Sequence, residues 1–345
     1  FLPDESVIDS KTEFQLERAY LKLPKEFKGY RRSVLKPVGG ARHGVVRISD
    51  FLKDKTGTDN GELSLRDWLT IPEQALSEVT NGKLFYDGLG LMARRLASYL
   101  INDLGIQKEE KMAILSESKP EFGVCVLASV ISGMITVPLD IKLTIYELTS
   151  ILTDCMPSVM LVSQTYLDKA LELQKSIPTL KHIIVMDEQP STSDLPSLYT
   201  IPSNYHCKWR HRSRKSTALI IYTSGTTGAP KGVMTSFGNI LAQLKDLNEV
   251  MRPIFTRKDT RILSILPMNH LFELTVGFST FLNRGSSIFY PQSLKPNDVL
   301  ADMREKQIHF MIVVPAFLKL LKSTIESDIR SWSEEERLLF EIKVL

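Results

Sequence analysis

One stretch in the middle of the chain gathers the residue types that handle phosphate: Tyr222-Thr223-Ser224-Gly225-Thr226-Thr227-Gly228-Ala229-Pro230-Lys231-Gly232. Its three glycines let the backbone turn sharply and approach a ligand where a β-carbon would intrude. Thr223, Ser224, Thr226 and Thr227 add hydroxyl donors, and Lys231 adds a positive charge. Successive amides in such a turn form a concavity suited to an anion. The spacing is not that of the common GxxxxGK[ST] phosphate loop, because Gly225 and Lys231 are wrongly placed and no Ser or Thr follows the lysine. An ordinary Ser/Gly turn is the plainer alternative. Such a turn, however, requires neither this many hydroxyls nor the lysine.

The elements that must hold this stretch are legible around it. The apolar run Ala218 to Ile221 precedes it, and a segment of helical periodicity follows, marked by Ile240, Leu241, Leu244, Leu247 and Met251 after Gly238. The expected context is therefore strand, loop, helix. From Leu91 onward, strands and helices alternate. Met92, Leu96, Tyr99, Leu100 and Leu104 share one helical face that ends at Gly105. Strands are expected at Lys111 to Leu115, Ile135 to Leu139, Ser158 to Ser163 and Lys181 to Asp187. Helices are expected between them at Val124 to Gly133, Leu143 to Leu152 and Tyr166 to Ser176. This alternation predicts an α/β fold with mostly parallel sheets flanked by helices, which binds ligands at the carboxyl ends of its strands.

A second candidate follows the expected strand Arg261 to Leu266, in Pro267-Met268-Asn269-His270-Leu271-Phe272-Glu273. A lone histidine is usually a hydrogen-bonded core group, but one placed just past a strand of an α/β pattern is a site candidate. Ser286 to Tyr290 and His309 to Val314 read as further strands, the latter followed by Pro315-Ala316-Phe317.

Composition sets the bounds. A chain of 345 residues with 43% hydrophobic and 24% charged residues can bury a large core. Its net charge of +3 argues against nucleic acid or an anionic membrane as the main partner. The cluster Lys208, Arg210, Arg212, Arg214 and Lys215 around Trp209 admits a nucleic-acid patch, so a binding module is the alternative class, but a solvated connection is the better reading. Cys125, Cys155 and Cys207 lack metal-ligand spacing and suit a reduced, cytoplasmic protein. The longest apolar run, Phe122 to Leu139, is interrupted by Ser129, Ser132, Gly133 and Pro138. It is expected to be a buried helix running into a buried strand rather than a membrane span. No signal peptide is visible, so at most peripheral membrane association is expected.

The Tyr222–Gly232 string resembles, almost letter for letter, the signature loop of the adenylate-forming (AMP-binding) superfamily, which comprises acyl-CoA synthetases, luciferases and the adenylation domains of peptide synthetases. Asn269-His270-Leu271-Phe272-Glu273-Leu274-Thr275 is similar to a second motif of that superfamily in its long-chain acyl-CoA synthetase wording. The resemblance implies ATP-dependent activation of a carboxylic acid, a fatty acid by this wording, to an acyl-adenylate and then an acyl-thioester. It implies ATP and Mg²⁺ as cofactors, with coenzyme A or an acyl carrier protein as thiol acceptor. Thr223, Ser224, Gly225, Thr226, Thr227, Gly228 and Lys231 would bind the nucleotide, with Thr223 and Lys231 catalytic and Thr226 at the metal. His270, Phe272, Pro315 and Ala316 would border the acid substrate. The alternatives are a carrier-loading ligase for aryl or amino acids and a non-catalytic or chimeric nucleotide-binding fragment. Phe237 stands where the family commonly has a histidine, two residues before Asn239. The Tyr-Gly-x-Thr-Glu motif, the hinge and the C-terminal lid would follow residue 345. The expectation is thus an incomplete adenylation domain over 91–345, without appreciable turnover by itself.

Residues 1–90 read differently, as a small and mainly helical segment. Leu23-Pro24-Lys25-Glu26-Phe27-Lys28-Gly29-Tyr30, Val46-Arg47-Ile48-Ser49-Asp50-Phe51 and Trp68-Leu69-Thr70-Ile71-Pro72-Glu73-Gln74 resemble the C-terminal part of an uncharacterised family related to nucleotidyltransferases. The paired-Asp motif of nucleotidyl transfer is absent from the sequence, so this resemblance implies no activity. A competing reading makes Leu63 to Leu104 the first helices of the adenylate-forming domain.

Overall fold

A computed structural model describes residues 86–188, 195–202, 210, 212–223, 230–251 and 260–330. The motifs expected within residues 1–85 lie outside the described residues. The described residues divide into two units: the larger holds those within 86–290 and 310–312, and the other holds 291–309 and 313–330.

The larger unit opens with α1 (Tyr86–Asn102). Then β1 (Lys111–Leu115), α2 (Pro120–Ser132), β2 (Ile135–Pro138), α3 (Ile145–Cys155), β3 (Val159–Val162), α4 (Leu167–Ser176) and β4 (His182–Val185) follow in strict alternation. β5 (Thr217–Thr223), β6 (Lys231–Ser236) and α5 (Phe237–Val250) complete this part. The six strands lie in the order β4-β3-β1-β2-β5-β6. Neighbours from β4 through β5 are parallel, whereas β6 runs antiparallel to β5.

A parallel sheet is covered on both faces, so its strands carry near-continuous apolar runs with alternate residues feeding two cores. β1 shows this. Met112 and Ile114 join α1 and α2 through Leu96, Leu100 and Phe122, whereas Ala113 and Leu115 join α3 and α4 through Leu148, Leu152 and Leu173. β3 splits in the same way, Val159 and Leu161 to one side and Met160 and Val162 to the other. α2 begins earlier than its apolar run suggests, because Pro120 suits the first turn, where no amide hydrogen is required. The helix-then-strand reading of the long apolar run holds, and among the described residues no helix is long and apolar enough to cross a membrane.

One expectation fails. The phosphate-loop stretch is not followed directly by a helix, because residues 231–236 form β6, which pairs with β5 from Thr217↔Ser236 to Thr223↔Lys231. The Lys-Gly-Val-Met-Thr-Ser run is short and mostly exposed, so its amphipathic signal is weak. Partner strand β5 stabilises it through the backbone ladder, which no local pattern announces.

A second, three-stranded sheet in the same unit consists of β7 (Arg261–Leu263), β8 (Ser287–Phe289) and β9 (Phe310–Met311), in the order β8-β7-β9 and all parallel. Its strands are shorter than the apolar runs suggest. Between β7 and β8 the chain forms a π-helical stretch, Glu273–Ser279, continued by α6 (Thr280–Asn283). In the other unit the described elements are α7 (Pro296–Glu305) and α8 (Pro315–Arg330).

Phe122 is fully buried where α2 meets the sheet. Phe122→Ala is expected to lower the unfolding free energy by about 3–5 kcal/mol in urea titrations. Tyr146→Ala, at a side chain 85% exposed, should change it by less than about 0.5 kcal/mol.

Candidate functional site

Two turns carry the candidate residues in the larger unit. β5 is parallel to β2, so Thr223 ends at the same sheet edge as the loops that follow β1, β2 and β3. β6 then returns antiparallel and sets Lys231 directly opposite Thr223 across the open end of the hairpin. Both are exposed. One residue earlier, Tyr222 stands opposite Gly232, where a β-carbon would come within 2.9 Å of Ile220 and 3.0 Å of the Tyr222 ring. Glycine is therefore required there by close approach, not by backbone angle. The phenol of Tyr222 bonds Asp154 of α3, and this bond together with burial raises its pKa. The hairpin mouth is thus fixed to α3 immediately before Thr223. Ser224, Gly225, Thr226, Thr227 and Gly228 lie outside the described residues.

Downstream, α5 starts from a reciprocal cap. Asn239 N–H donates to Ser236 Oγ at 3.2 Å, and Ser236 N–H donates to Asn239 Oδ1 at 3.0 Å. Phe237, which departs from the family pattern, is a core residue: it is buried and lies under the Arg212 guanidinium, 5.9 Å from the ring centre.

The second turn spans 264–273, from the end of β7 into the π-helical stretch. His270 N–H donates to the Pro267 carbonyl at 3.1 Å, and the His270 carbonyl accepts from Leu274 N–H at 3.1 Å. His270 and Phe272 are exposed, Phe272 by 53%, whereas Glu273 is only 1% exposed. Polarity is inverted here, with the aromatic ring outward and the carboxyl inward. Ser264 Oγ donates to Glu273 Oε1 at 2.5 Å, and a β-carbon at Gly277 would overlap the carboxyl group. Burial raises the Glu273 pKa to about 7, against a smaller lowering by the Ser264 hydroxyl. Nothing in the local sequence marks Glu273 as buried.

Behind this turn is an apolar cavity of about 50 Å³. Val126, Leu219, Ile240 and Leu244 line it on the side of α2, β5 and α5, and Leu274 and Phe278 line it from the π-helical stretch. Pro315 and Ala316 are placed in the other unit, exposed at the start of α8.

The rim loops are tied together by charge. Lys119 Nζ meets Asp187 Oδ1 at 2.6 Å, Asp187 Oδ2 accepts from Gln164 N–H at 2.6 Å, and Ser163 Oγ donates to Glu117 Oε2 at 2.6 Å. Two described arginines of the basic cluster, Arg210 and Arg212, turn inward, whereas Arg214 and Lys215 are exposed. Arg210 donates to the Ile106 carbonyl at 2.5 Å. Arg212 donates to the Gly133 carbonyl at 2.6 Å and pairs with Glu109 at 3.2 Å. Cys125 and Cys155 are buried thiols, the latter pushed up to about 12 by burial.

The Thr223 hydroxyl and the Lys231 ammonium are of the donor and charge type that a nucleotide's phosphates require, and their exposure leaves them open to a ligand. Among the described residues no group of three or more His, Cys, Asp or Glu could hold a metal, and Thr226, the expected Mg²⁺ contact, lies outside them.

The profile of the AMP-binding enzyme family matches residues 73–340. Among curated proteins, luciferin 4-monooxygenase of Photinus pyralis is 26% identical over 249 residues, covering 68% of this chain and 44% of its own length. Long chain acyl-CoA synthetase 8 of Arabidopsis thaliana is 26% identical over 271 residues, covering 71% of this chain and 36% of its own length. The chain thus spans less than half of each of these two relatives. Of the solved structures, ATP-bound MatB from Rhodopseudomonas palustris superimposes with a TM-score of 0.59 at 28% identity, covering 69% of this chain and 46% of that one.

Glu273 gives this region a measurable signature. Its folded pKa of about 7 lies above the model-peptide value of 4.5, so the folded state holds the extra proton between those values. Stability from this group is therefore present below about pH 4.5 and is lost as pH rises through 7, by about 3 kcal/mol in all. Urea titrations from pH 4.5 to 8 should show this decline in the unsubstituted protein and a flatter profile in Glu273→Gln.

Proposed function

The chain belongs to the AMP-binding enzyme family, and we propose that it serves ATP-dependent activation of a carboxylic acid, a fatty acid in particular, for transfer to a thiol. The observation that carries this reading is the Thr223↔Lys231 pair at the carboxyl edge of the parallel sheet, where an α/β fold binds its ligands. The match to an ATP-bound relative supports ATP as the nucleotide. The likeness to a long chain acyl-CoA synthetase supports a fatty acid.

The chemistry suits such a site. A carboxylic acid with a pKa of about 4 is ionised at neutral pH, so no strong general base is required. Its oxygen attacks the α-phosphorus of ATP, the new P–O bond forms, and the bond to pyrophosphate breaks. The barrier lies in bringing an anion to a polyanion and in neutralising the leaving group. The Thr223–Gly228 loop would hold the β- and γ-phosphates through amides and hydroxyls, with Lys231 offsetting the charge that develops. Mg²⁺, with Thr226 as its loop contact, would neutralise phosphate oxygens when bound. His270 and Phe272, exposed on the second turn, would border the acid. A thiol, coenzyme A or a carrier, then attacks the acyl carbonyl and AMP departs.

Acid-dependent exchange of labelled pyrophosphate into ATP tests the reading. Exchange should be strongest with fatty acids and weak with aryl and amino acids. Lys231→Ala should lower it by about 10²-fold. A folded protein with no acid-dependent exchange for any of the three classes would overturn the proposal.

A further inference from the structure

The His270 turn is held from two directions by groups to which no role in catalysis or binding is assigned. From within its own sheet, Glu273 closes the turn at its base by accepting the Ser264 hydroxyl at 2.5 Å. From the larger sheet, Ser118 reaches it at the middle. Met268 N–H donates to Ser118 Oγ at 3.0 Å, and Ser118 Oγ donates to the Leu266 carbonyl at 3.4 Å. Ser118 is itself held, because its neighbours Glu117 and Lys119 are fixed to Ser163 and Asp187 at 2.6 Å each.

We infer that Ser118 and Glu273 are positioning residues that clamp the 264–273 turn and so fix His270 and Phe272 for the acid substrate. This rests on the functional reading above for its substrate, but its geometry is independent of it. Three observations carry it. A carboxyl group only 1% exposed is costly to bury without a compensating bond, and Ser264 supplies one. Its space is reserved, since any β-carbon at Gly277 would overlap it. The turn it closes is the one that displays an exposed histidine and an aromatic ring 53% exposed, groups that packing alone leaves unfixed. The burial that raises the proton affinity of Glu273 has the same origin, and a neutral acid remains able to accept the Ser264 hydroxyl.

The test uses the full-length protein and two readouts, one independent of activity. Hydrogen–deuterium exchange of residues 265–272 should quicken at least about tenfold in Ser118→Ala and in Glu273→Ala, while β1 and β3 keep their protection. Glu273→Gln, which preserves the acceptor, should stay within about threefold of the unsubstituted protein. Unchanged exchange across 265–272 in both alanine variants would overturn the clamp. So would a loss of protection spread equally over the whole sheet in both. In pyrophosphate exchange, Ser118→Ala should lower the acid kcat/KM by about tenfold or more with the ATP KM unchanged, whereas equal changes for acid and ATP would count against positioning. Absence of exchange in the unsubstituted protein would overturn the ligase reading, and the hydrogen-exchange result would still decide the clamp.

Discussion

β5 has two kinds of neighbour, and the site depends on that. It runs parallel to β2, so its carboxyl end joins the edge where the parallel strands open their loops, and it runs antiparallel to β6, so the chain must fold straight back. Those two pairings together place a lysine opposite a threonine at the mouth of a glycine-rich loop. A strand followed by a helix would have directed a helix N-terminus at the ligand instead. Here α5 comes only after β6, and its first turn is occupied by the Ser236–Asn239 cap. The positive character at the loop mouth is therefore supplied by a side chain, Lys231, and not by the α5 dipole.

The His270 turn shows how such a fold accommodates polar groups in its interior. Glu273 is buried beside Leu274 and Val276, and its cost is moderated by one hydroxyl bond and by a proton retained up to about neutral pH. In the π-helical stretch that begins with this residue, Leu274 and Phe278 both line the apolar cavity. Single-turn π-helical insertions are frequent at functional sites because they re-aim side chains without ending a helix. The exposed Phe272 and the buried Glu273 are adjacent in sequence, and that inversion is what local hydropathy misreads.

Several charges among the described residues form tertiary links. Arg210 and Arg212 bind backbone carbonyls of the loops flanking β1 and β2, and Lys119 with Asp187 closes the rim between β1 and β4. Bonds between charged donors and carbonyls are among the stronger ones a protein makes. Arg210 and Arg212 thereby become connecting material within the basic run.

The order of strands and helices from Lys111 to Val185 was legible from apolar periodicity, because a sheet buried on both faces requires continuous apolar strands. The glycine-hydroxyl-lysine stretch was legible as a candidate anion loop from residue type alone, since φ freedom, donors and charge are local properties. The three-dimensional contacts were not legible. β6 exists because β5 offers it a ladder. Glu273 is internal because Gly277 leaves it room and Ser264 lies within reach, and Ser118 touches Met268 across 150 residues of sequence. Local sequence specifies what each residue is able to do. Which residues face one another depends on chain segments far apart meeting, and only the folded structure decides that.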